Sequence, residues 1–285
     1  SLAMAQLEEV IVTATKRTES TQDIAVAVSA ITEDSLDDFG IANFANYLTQ
    51  LPGVTAGGAG PGQNTIYIRG VASTTPNLTT AGVAGLVPNV AMYLDEQPMS
   101  QPGRNLDVYV ADINRVEVVK GPQGTLFGRN GLAGAISMVS NKPSDKNEFS
   151  LGIAYGDEGQ QRYELIGNLA VSDTFAVRLA YQHDEWEGMW EEVNSGDDAY
   201  QESDTVRLTA RWSPSDDFEA ILRANYSEAE TNYTSAMNIP LSTIAPGDKF
   251  PDKYAVNDPN YEDAEDYGFG LRLTWNFGDT MELVS

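Results

Sequence analysis

Arg115-Val-Glu-Val-Val-Lys-Gly-Pro-Gln-Gly-Thr-Leu-Phe-Gly-Arg-Asn-Gly-Leu-Ala-Gly-Ala-Ile-Ser-Met-Val-Ser-Asn-Lys-Pro143 is the stretch that decides the fold. Val116–Val119 and Ala135–Val139 are short apolar runs, rich in β-branched residues, with the length of buried strands. Between them lies a glycine-punctuated turn and helix. Immediately downstream, from about Glu148, the chain changes to alternating apolar and polar residues separated by acidic loops. A buried two-strand unit followed by a series of half-apolar strands has to be explained by any assignment of fold.

Composition narrows the choice. The chain has 285 residues and a formal net charge of −25, from 42 acidic and 17 basic residues. So negative a surface repels nucleic acid, and no nucleic-acid partner is expected. There is no cysteine, which removes disulfide and thiol chemistry and sulfur-ligated zinc. His183 is the single histidine, so no histidine pair is available for a relay or a metal. No run of about 18 apolar residues could form a membrane-spanning helix. The mean hydropathy of −0.30 is compatible with alternating membrane strands. Ser1-Leu-Ala-Met-Ala-Gln6 has the small-x-small pattern that ends a signal peptide, which puts a mature start at Gln6.

The first half reads as a small α+β domain. Val26–Ile31 is a strand, and Thr32-Glu-Asp-Ser35 caps a short helix with acids in its first turn. Asn43–Leu51 is helical by the spacing of Phe44, Tyr47, Leu48 and Leu51, and Pro52-Gly53 stops it. Ala56–Asn64 is a glycine loop without the Lys-Ser/Thr ending of a phosphate-binding loop. Thr65–Arg69 and Val90–Asp95 are strands expected to pair with each other. Val71–Asn89 and Glu96–Asn105 are loops, the first too long to be mere connection.

These segments, in this order, resemble the plug domain of TonB-dependent outer-membrane receptors. The resemblance is strong over Leu7–Pro143, closest in the stretch quoted above, and extends to Glu148–Ser285 by pattern. Leu7-Glu-Glu-Val-Ile-Val-Thr-Ala14 is similar to the TonB box. By that resemblance Glu8, Glu9, Val10, Ile11, Val12, Thr13 and Ala14 would add a strand to a TonB-type energy-coupling protein of the inner membrane. The same resemblance makes Gln63, Asn64, Arg69, Gln97, Met99, Gln101 and Arg104 ligand-binding candidates. It also implies that the plug cations Arg69 and Arg129 pair with barrel carboxylates, since a cation in a lumen needs a partner.

In the second half the period is 2. Phe149, Leu151, Ile153 and Tyr155 set the pattern, and Val206, Leu208, Ala210 and Trp212 alternate with Arg207, Thr209 and Arg211. Tyr267 to Phe277 repeats it. One apolar face and one charged face suit lipid outside and a wet, plugged lumen inside. Aromatic residues at strand ends (Tyr155, Tyr181, Trp212, Tyr226, Trp275, Phe277) suit interfacial girdles. A soluble antiparallel sandwich has the same periodicity. Ser172-Asp173, Ser213–Asp216 and Gly278-Asp279 read as short periplasmic turns. Trp186–Ser203 and Thr231–Glu265 read as long extracellular loops.

The expected fold class is an α+β plug domain, a small mixed sheet with short helices, followed by an incomplete antiparallel transmembrane β-barrel. The expected division is a signal remnant at 1–5, box and linker at 6–20, plug at 21–145 and barrel at 146–285. About six strands and part of a seventh are present, whereas plugged transporters have about 22, so a piece of a longer protein is expected. The resemblance implies active import of an iron-siderophore-like chelate, haem, cobalamin or a glycan, with outer-membrane lipid around the barrel. A non-transporting binding or adhesion protein of the outer membrane is the alternative. Nothing supplies a nucleophile with its base, so no enzyme, no cofactor and no resident metal is expected. The carboxylates of Glu185–Asp204, including the adjacent pairs Glu191-Glu192 and Asp197-Asp198, fit no EF-hand spacing and read as solvated.

Overall fold

The computed structural model describes residues 11–12, 19–20, 27–38, 48, 50–58, 64–71, 89–101, 104–105, 111–122, 124–128, 131–157, 159–192, 196, 198–232, 253–254, 262–277 and 281–285. It falls into two units. The first is Ser1–Gly58, Gln63–Asp107 and Ile113–Ser140; the second is Ala59–Gly62, Val108–Asp112 and Asn141–Ser285.

The first unit holds strands β1 (Ile11–Val12), β2 (Glu19–Ser20), β3 (Ala27–Thr32), β4 (Val54–Gly58), β5 (Asn64–Ile68), β6 (Val90–Leu94), β7 (Gln97–Pro98), β8 (Ser100–Gln101), β9 (Arg104–Asn105), β10 (Ile113–Lys120) and β11 (Gly134–Ser140). Helix α1 spans Glu33–Asp38 and α2 spans Gly124–Phe127. A mixed five-stranded sheet has the order β3-β10-β11-β6-β7, with β11 and β6 parallel. Its centre is the β10–β11 hairpin of the opening stretch, in register Val116↔Met138 and Val118↔Ile136. All four of these side chains are fully buried, and Glu117 and Ser137 between them are buried as well.

Gly134 is obligatory at the start of β11. A Cβ there would lie 2.2 Å from the Val119 carbonyl oxygen and 2.8 Å from Ile68 Cδ1, inside any tolerable contact. Helix α2 ends at Gly128, whose φ of 63° provides the left-handed exit. It places Phe127 against Val119, Ala135 and Tyr93. The Tyr93 and Phe127 ring centroids are 5.2 Å apart, and the Tyr93 hydroxyl donates to the Phe127 carbonyl at 2.6 Å. Burial pushes the Tyr93 phenol up, which keeps it a donor.

Two expectations for this half need correction. Thr65–Arg69 and Val90–Asp95 do not pair. β5 lies in a separate four-stranded sheet, β4-β5-β9-β8, while β6 pairs with β11 and β7. Periodicity cannot assign partners, and the parallel β11–β6 pairing satisfies the backbone of β6 elsewhere. The glycine loop is also shorter than its composition implies. Ala56, Gly57 and Gly58 pair with Ile66, Thr65 and Asn64, because backbone ladders need no side chain. The Pro52-Gly53 stop is a turn closed by Val54 N–H to Leu51 C=O at 3.1 Å, with Gly53 at φ 74°. Most of the Asn43–Leu51 helix and of the Val71–Asn89 loop lies outside the described residues.

The second unit is one antiparallel meander: β12 (Glu148–Tyr155), β13 (Gln161–Ser172), β14 (Phe175–Glu192), β15 (Asp198–Ser215), β16 (Phe218–Thr231), β17 (Lys253–Tyr254), β18 (Glu262–Phe277) and β19 (Met281–Val284). The sheet order is β12-β13-β14-β15-β16-β18-β19, with β17 beside the tip of β14. Six long strands and a short seventh form an open, incomplete barrel wall.

Burial distinguishes a barrel wall from a soluble sandwich. The apolar face is the exposed one: Phe149, Leu151, Ile153, Leu222, Leu271 and Phe269, the last 75% accessible. The polar face is buried: Gln182 is 2% and Arg207 3% accessible, with Asn168, Ser203, Thr205 and Thr209 beside them. A water-soluble sheet would bury the other face. Aromatic rows bound the apolar band. Tyr181, Tyr226 and Tyr267 lie at one level by register. Trp212, Phe218 and Trp275 meet edge to face at 5.8 Å at the other. From Tyr267 to Trp275 is eight residues of β18, about 27 Å along the strand and about 20 Å along the normal at a tilt of ~40°.

The Trp186–Ser203 loop is a correction as well. β14 continues to Glu192 and β15 begins at Asp198, so only 193–197 connect them. The register Glu185↔Glu202, Trp186↔Gln201, Glu187↔Tyr200 extends the hairpin beyond the aromatic row. The acidic residues here read as a loop, yet the backbone ladder persists. Ser213–Ser215 likewise belong to β15 and Glu262–Glu265 to β18, which shortens those connections.

Arginines on the buried face are matched with carboxylates. Arg178 Nε and Nη2 donate to Asp112 Oδ2 and Oδ1 at 2.7 and 2.6 Å, a bidentate fork. Asn141 Nδ2 donates to the same Oδ1 at 2.9 Å, and Arg207 donates to the Ala111 carbonyl at 2.6 Å. Arg162 pairs with Asp184 at 3.1 Å, and Arg211 with Asp145. Asp112→Ala removes the bidentate partner of Arg178, and the more exposed Glu148 carboxylate stands 3.6 Å away. Breaking a buried pair costs about 3–5 kcal/mol. The expected outcome in the whole receptor is a lowered denaturation midpoint in urea or heat, largely restored by adding Arg178→Met. An unchanged midpoint in the single variant contradicts this account.

Candidate functional site

The candidate ligand residues are scattered over some 40 positions in sequence, and the small sheet β4-β5-β9-β8 gathers three of them. Asn64 opens β5 and pairs with Asn105 of β9. Asn105 pairs in turn with Ser100 of β8, and Gln101 pairs with Arg104 across the β8–β9 hairpin. Asn64, Gln101 and Arg104 therefore share one corner of one sheet, all on short strands at or next to its edge. Such a corner is polar by composition and carries one cation, the requirements for an anionic or oxygen-rich ligand.

A tight hairpin precedes β8 in the chain. β6 and β7 are joined by Asp95-Glu96, with φ of 49° and 72°, flanked by the pair Leu94↔Gln97. Two successive positive φ values are the type I′ pattern, which suits the twist of adjoining strands. Neither residue is glycine, so the turn is fixed from outside. The Asp95 carboxylate accepts from the Ser140 amide at 2.9 Å and from its hydroxyl at 2.7 Å, and the Asp95 amide donates to the Met138 carbonyl at 2.9 Å. Gln97 follows, partly exposed. Met99 is 8% accessible, and its amide bonds to the Met92 carbonyl at 2.8 Å. A side chain so buried belongs to the core and presents little surface to a ligand. Sequence could not show this, because a methionine in a polar loop reads as exposed.

Arg69 is exposed, at φ 53°, with its amide on the Gly53 carbonyl at 2.8 Å. Among the described residues no ion pair is found for it. Gln63 and Arg129 lie outside the described residues. Other cations of the first unit find partners within it. Arg115 Nε donates to the buried Glu117 carboxylate at 2.6 Å, and Lys120 Nζ donates to Ser29 Oγ at 2.9 Å. Burial, and then the Arg69 guanidinium, push the Lys120 ammonium below the ordinary lysine range. The clearest carboxylate–guanidinium fork among the described residues lies within the second unit, between Asp112 and Arg178 of β14.

Of the box, Ile11 and Val12 are described. They form β1 and pair with β2 in register Ile11↔Ser20 and Val12↔Glu19. Glu8, Glu9, Val10, Thr13 and Ala14 lie outside the described residues.

Comparison with known proteins agrees with this architecture. Residues 20–135 match the family described as TonB-dependent Receptor Plug Domain. The chain is 30% identical over 162 residues to the catecholate siderophore receptor Fiu of Escherichia coli K12, an alignment covering 55% of this chain and 19% of Fiu. It is 27% identical over 176 residues to the ferripyoverdine receptor of Pseudomonas aeruginosa, covering 60% of this chain and 20% of that receptor. Among solved structures, the ferric yersiniabactin uptake receptor FyuA of Yersinia pestis superposes with a TM-score of 0.76 at 20% identity, over 89% of this chain and 39% of FyuA. The chain spans about a fifth of the length of these curated relatives. In its mixed-sheet plug and inverted strand face it is similar to the TonB-dependent receptors over a plug domain and the first strands of the barrel.

The Asp95-Glu96 turn yields a prediction. Asp95→Ala removes both bonds to Ser140 and is expected to cost about 1–3 kcal/mol. Glu96→Gly relieves a left-handed residue and is expected to be neutral or stabilising by ~1 kcal/mol. Thermal unfolding of the receptor checks both. Destabilisation by Glu96→Gly equal to that by Asp95→Ala rules out the strain argument.

Proposed function

We propose that this chain is the plug and opening barrel wall of a Gram-negative outer-membrane receptor that imports a ferric siderophore. The observation that carries the reading is the succession of a plug-type mixed sheet and a β-sheet whose apolar face is exposed and whose charged face is buried. A wall of that polarity needs lipid on one side and a filled, polar interior on the other. The relatives favour the substrate class: their names specify catecholate siderophore, ferripyoverdine and ferrioxamine.

In this reading no covalent bond changes. The ferric chelate docks on the polar corner that holds Asn64, Gln101 and Arg104, with Gln97 beside it. Arg104 supplies the cation for the negative oxygens of the chelate. The segment Glu8–Ala14 is then taken up as an added strand by a TonB-type protein reaching from the inner membrane. Among the described residues, Glu19–Ser20 pairs with it through Ile11 and Val12. A two-stranded pair of this kind is marginal in water and readily exchanged for a longer one.

Proline cannot donate to a ladder, so Val10→Pro or Ile11→Pro in the full-length receptor is expected to abolish uptake of radiolabelled ferric siderophore while leaving cell-surface binding intact. Normal uptake by both variants removes strand addition from the mechanism. The binding corner is tested separately. Arg104→Ala is expected to weaken ferric-siderophore binding by tenfold or more, since a bond to a charged group contributes about 1.5–3 kcal/mol. Gln101→Ala should weaken it less. Unaltered affinity in both variants moves the ligand elsewhere.

A further inference from the structure

Beyond the tyrosine row, the exposed face of the barrel wall changes from apolar to acidic. Register defines two consecutive rows there. One is Tyr163↔His183↔Asp204↔Glu228↔Glu265, and the next is Gln161↔Glu185↔Glu202↔Glu230↔Asp263. Seven carboxylates thus stand opposite or beside one another on neighbouring strands. Like charges directly opposite destabilise a sheet, and this face places no lysine or arginine among them.

One group within the rows differs from the rest, because it contains an imidazole. His183 on β14, with Glu202 and Asp204 on β15, present ligand atoms that all lie within 4.8 Å of one another. His183 Nδ1 is 3.3 Å from Asp204 Oδ1 and 4.0 Å from Glu202 Oε1. The ring is held by stacking on Tyr163, with centroids 5.9 Å apart. The Asp204 carboxylate is oriented by the Tyr181 hydroxyl, which donates to it at 2.7 Å. Supporting contacts of this kind fix ligand geometry at metal sites. The three side chains are 18%, 44% and 39% accessible, so an ion could enter without rearrangement of the sheet.

We infer that His183, Glu202 and Asp204 bind a divalent cation of the zinc or manganese type. One imidazole nitrogen and two carboxylates form a mixed donor set suited to such ions and too nitrogen-rich for a calcium site. The ion offsets the repulsion within the rows. Three protein ligands leave coordination positions open, and they face outward just past the tyrosine girdle. An anionic lipid phosphate is the group found at that level, and it completes the shell. The neighbouring trio Glu228, Glu230 and Asp263 offers carboxylates alone and is not assigned an ion. Spacing along the chain conceals the site, because its members meet only through the β14–β15 register.

The test uses the full-length receptor in detergent micelles, titrated with zinc chloride and with manganese chloride. The expected result is one saturable ion that is lost in His183→Ala and in Asp204→Asn and kept in Glu230→Gln. Adding vesicles of phosphatidylglycerol should tighten its binding, and vesicles of phosphatidylcholine should not. Equal binding by wild type and His183→Ala overturns the site; equal response to the two vesicles overturns the phosphate ligand. If the variants fail to fold, carbethoxylation of His183 in the wild-type receptor, read by peptide mass, decides the matter: protection by zinc supports the site and unprotected modification refutes it. Siderophore uptake is not the readout, so the result is independent of the proposed import function.

Discussion

Every other feature of this chain depends on the backbone ladder that runs from Glu148 to Val284. In hydrocarbon there is no water to satisfy an amide or carbonyl, so each strand must be bonded on both sides along its length. From β13 to β16 the sheet meets this demand by near-continuous antiparallel pairing, with shifts confined to turns and to the hairpin tip of β14 and β15, and β12 and β19 are its open edges. Once the ladder is fixed, side chains can only alternate. That alternation places tyrosine, leucine and phenylalanine on one face and arginine, glutamine and aspartate on the other.

The buried polar face then needs its own accounts settled. A guanidinium in a dry place is costly, and each of Arg162, Arg178 and Arg211 has a carboxylate partner. Asp112 illustrates the local cost of such a match. It sits at φ 56°, an uncommon conformation for a residue with a side chain, and makes three hydrogen bonds through its carboxylate. The strain is held because Arg178 and Asn141 determine the position from two directions. Asp95 behaves similarly in the first unit, with Ser140 as its fixing partner.

How much of this was legible in the sequence depends on the kind of information each residue carries. The hairpin around Gly121–Gly134 and the barrel alternation are local patterns, and they predicted β10, β11 and the central parts of β12 to β16 and β18. Partnership is not local. Nothing in Thr65–Arg69 or Val90–Asp95 reveals that they enter different sheets, because backbone bonds carry no side-chain signature. The same reason hid the extension of β14 to Glu192, where acidity suggested a loop. Among the site residues, Asn64, Gln101 and Arg104 were named from resemblance, and only the register showed that they meet. Met99 was misplaced by its polar neighbours. Asp112, Arg178 and the His183 trio were not recognised, since each combines residues far apart in sequence or on adjacent strands.

The short pair formed by Ile11–Val12 and Glu19–Ser20 has a mechanical consequence. In this antiparallel pair Ile11 and Ser20 form the outer end, while Val12 and Glu19 are the nearer pair in sequence. A load applied to the chain ahead of Ile11, with the chain beyond Ser20 held, therefore acts at the outer end. The bonds break in sequence, Ile11 before Val12, like teeth of a zipper. They do not resist together as a sheared ladder would. The weakest direction of this element is thus the one along which its own N-terminal end would be drawn away.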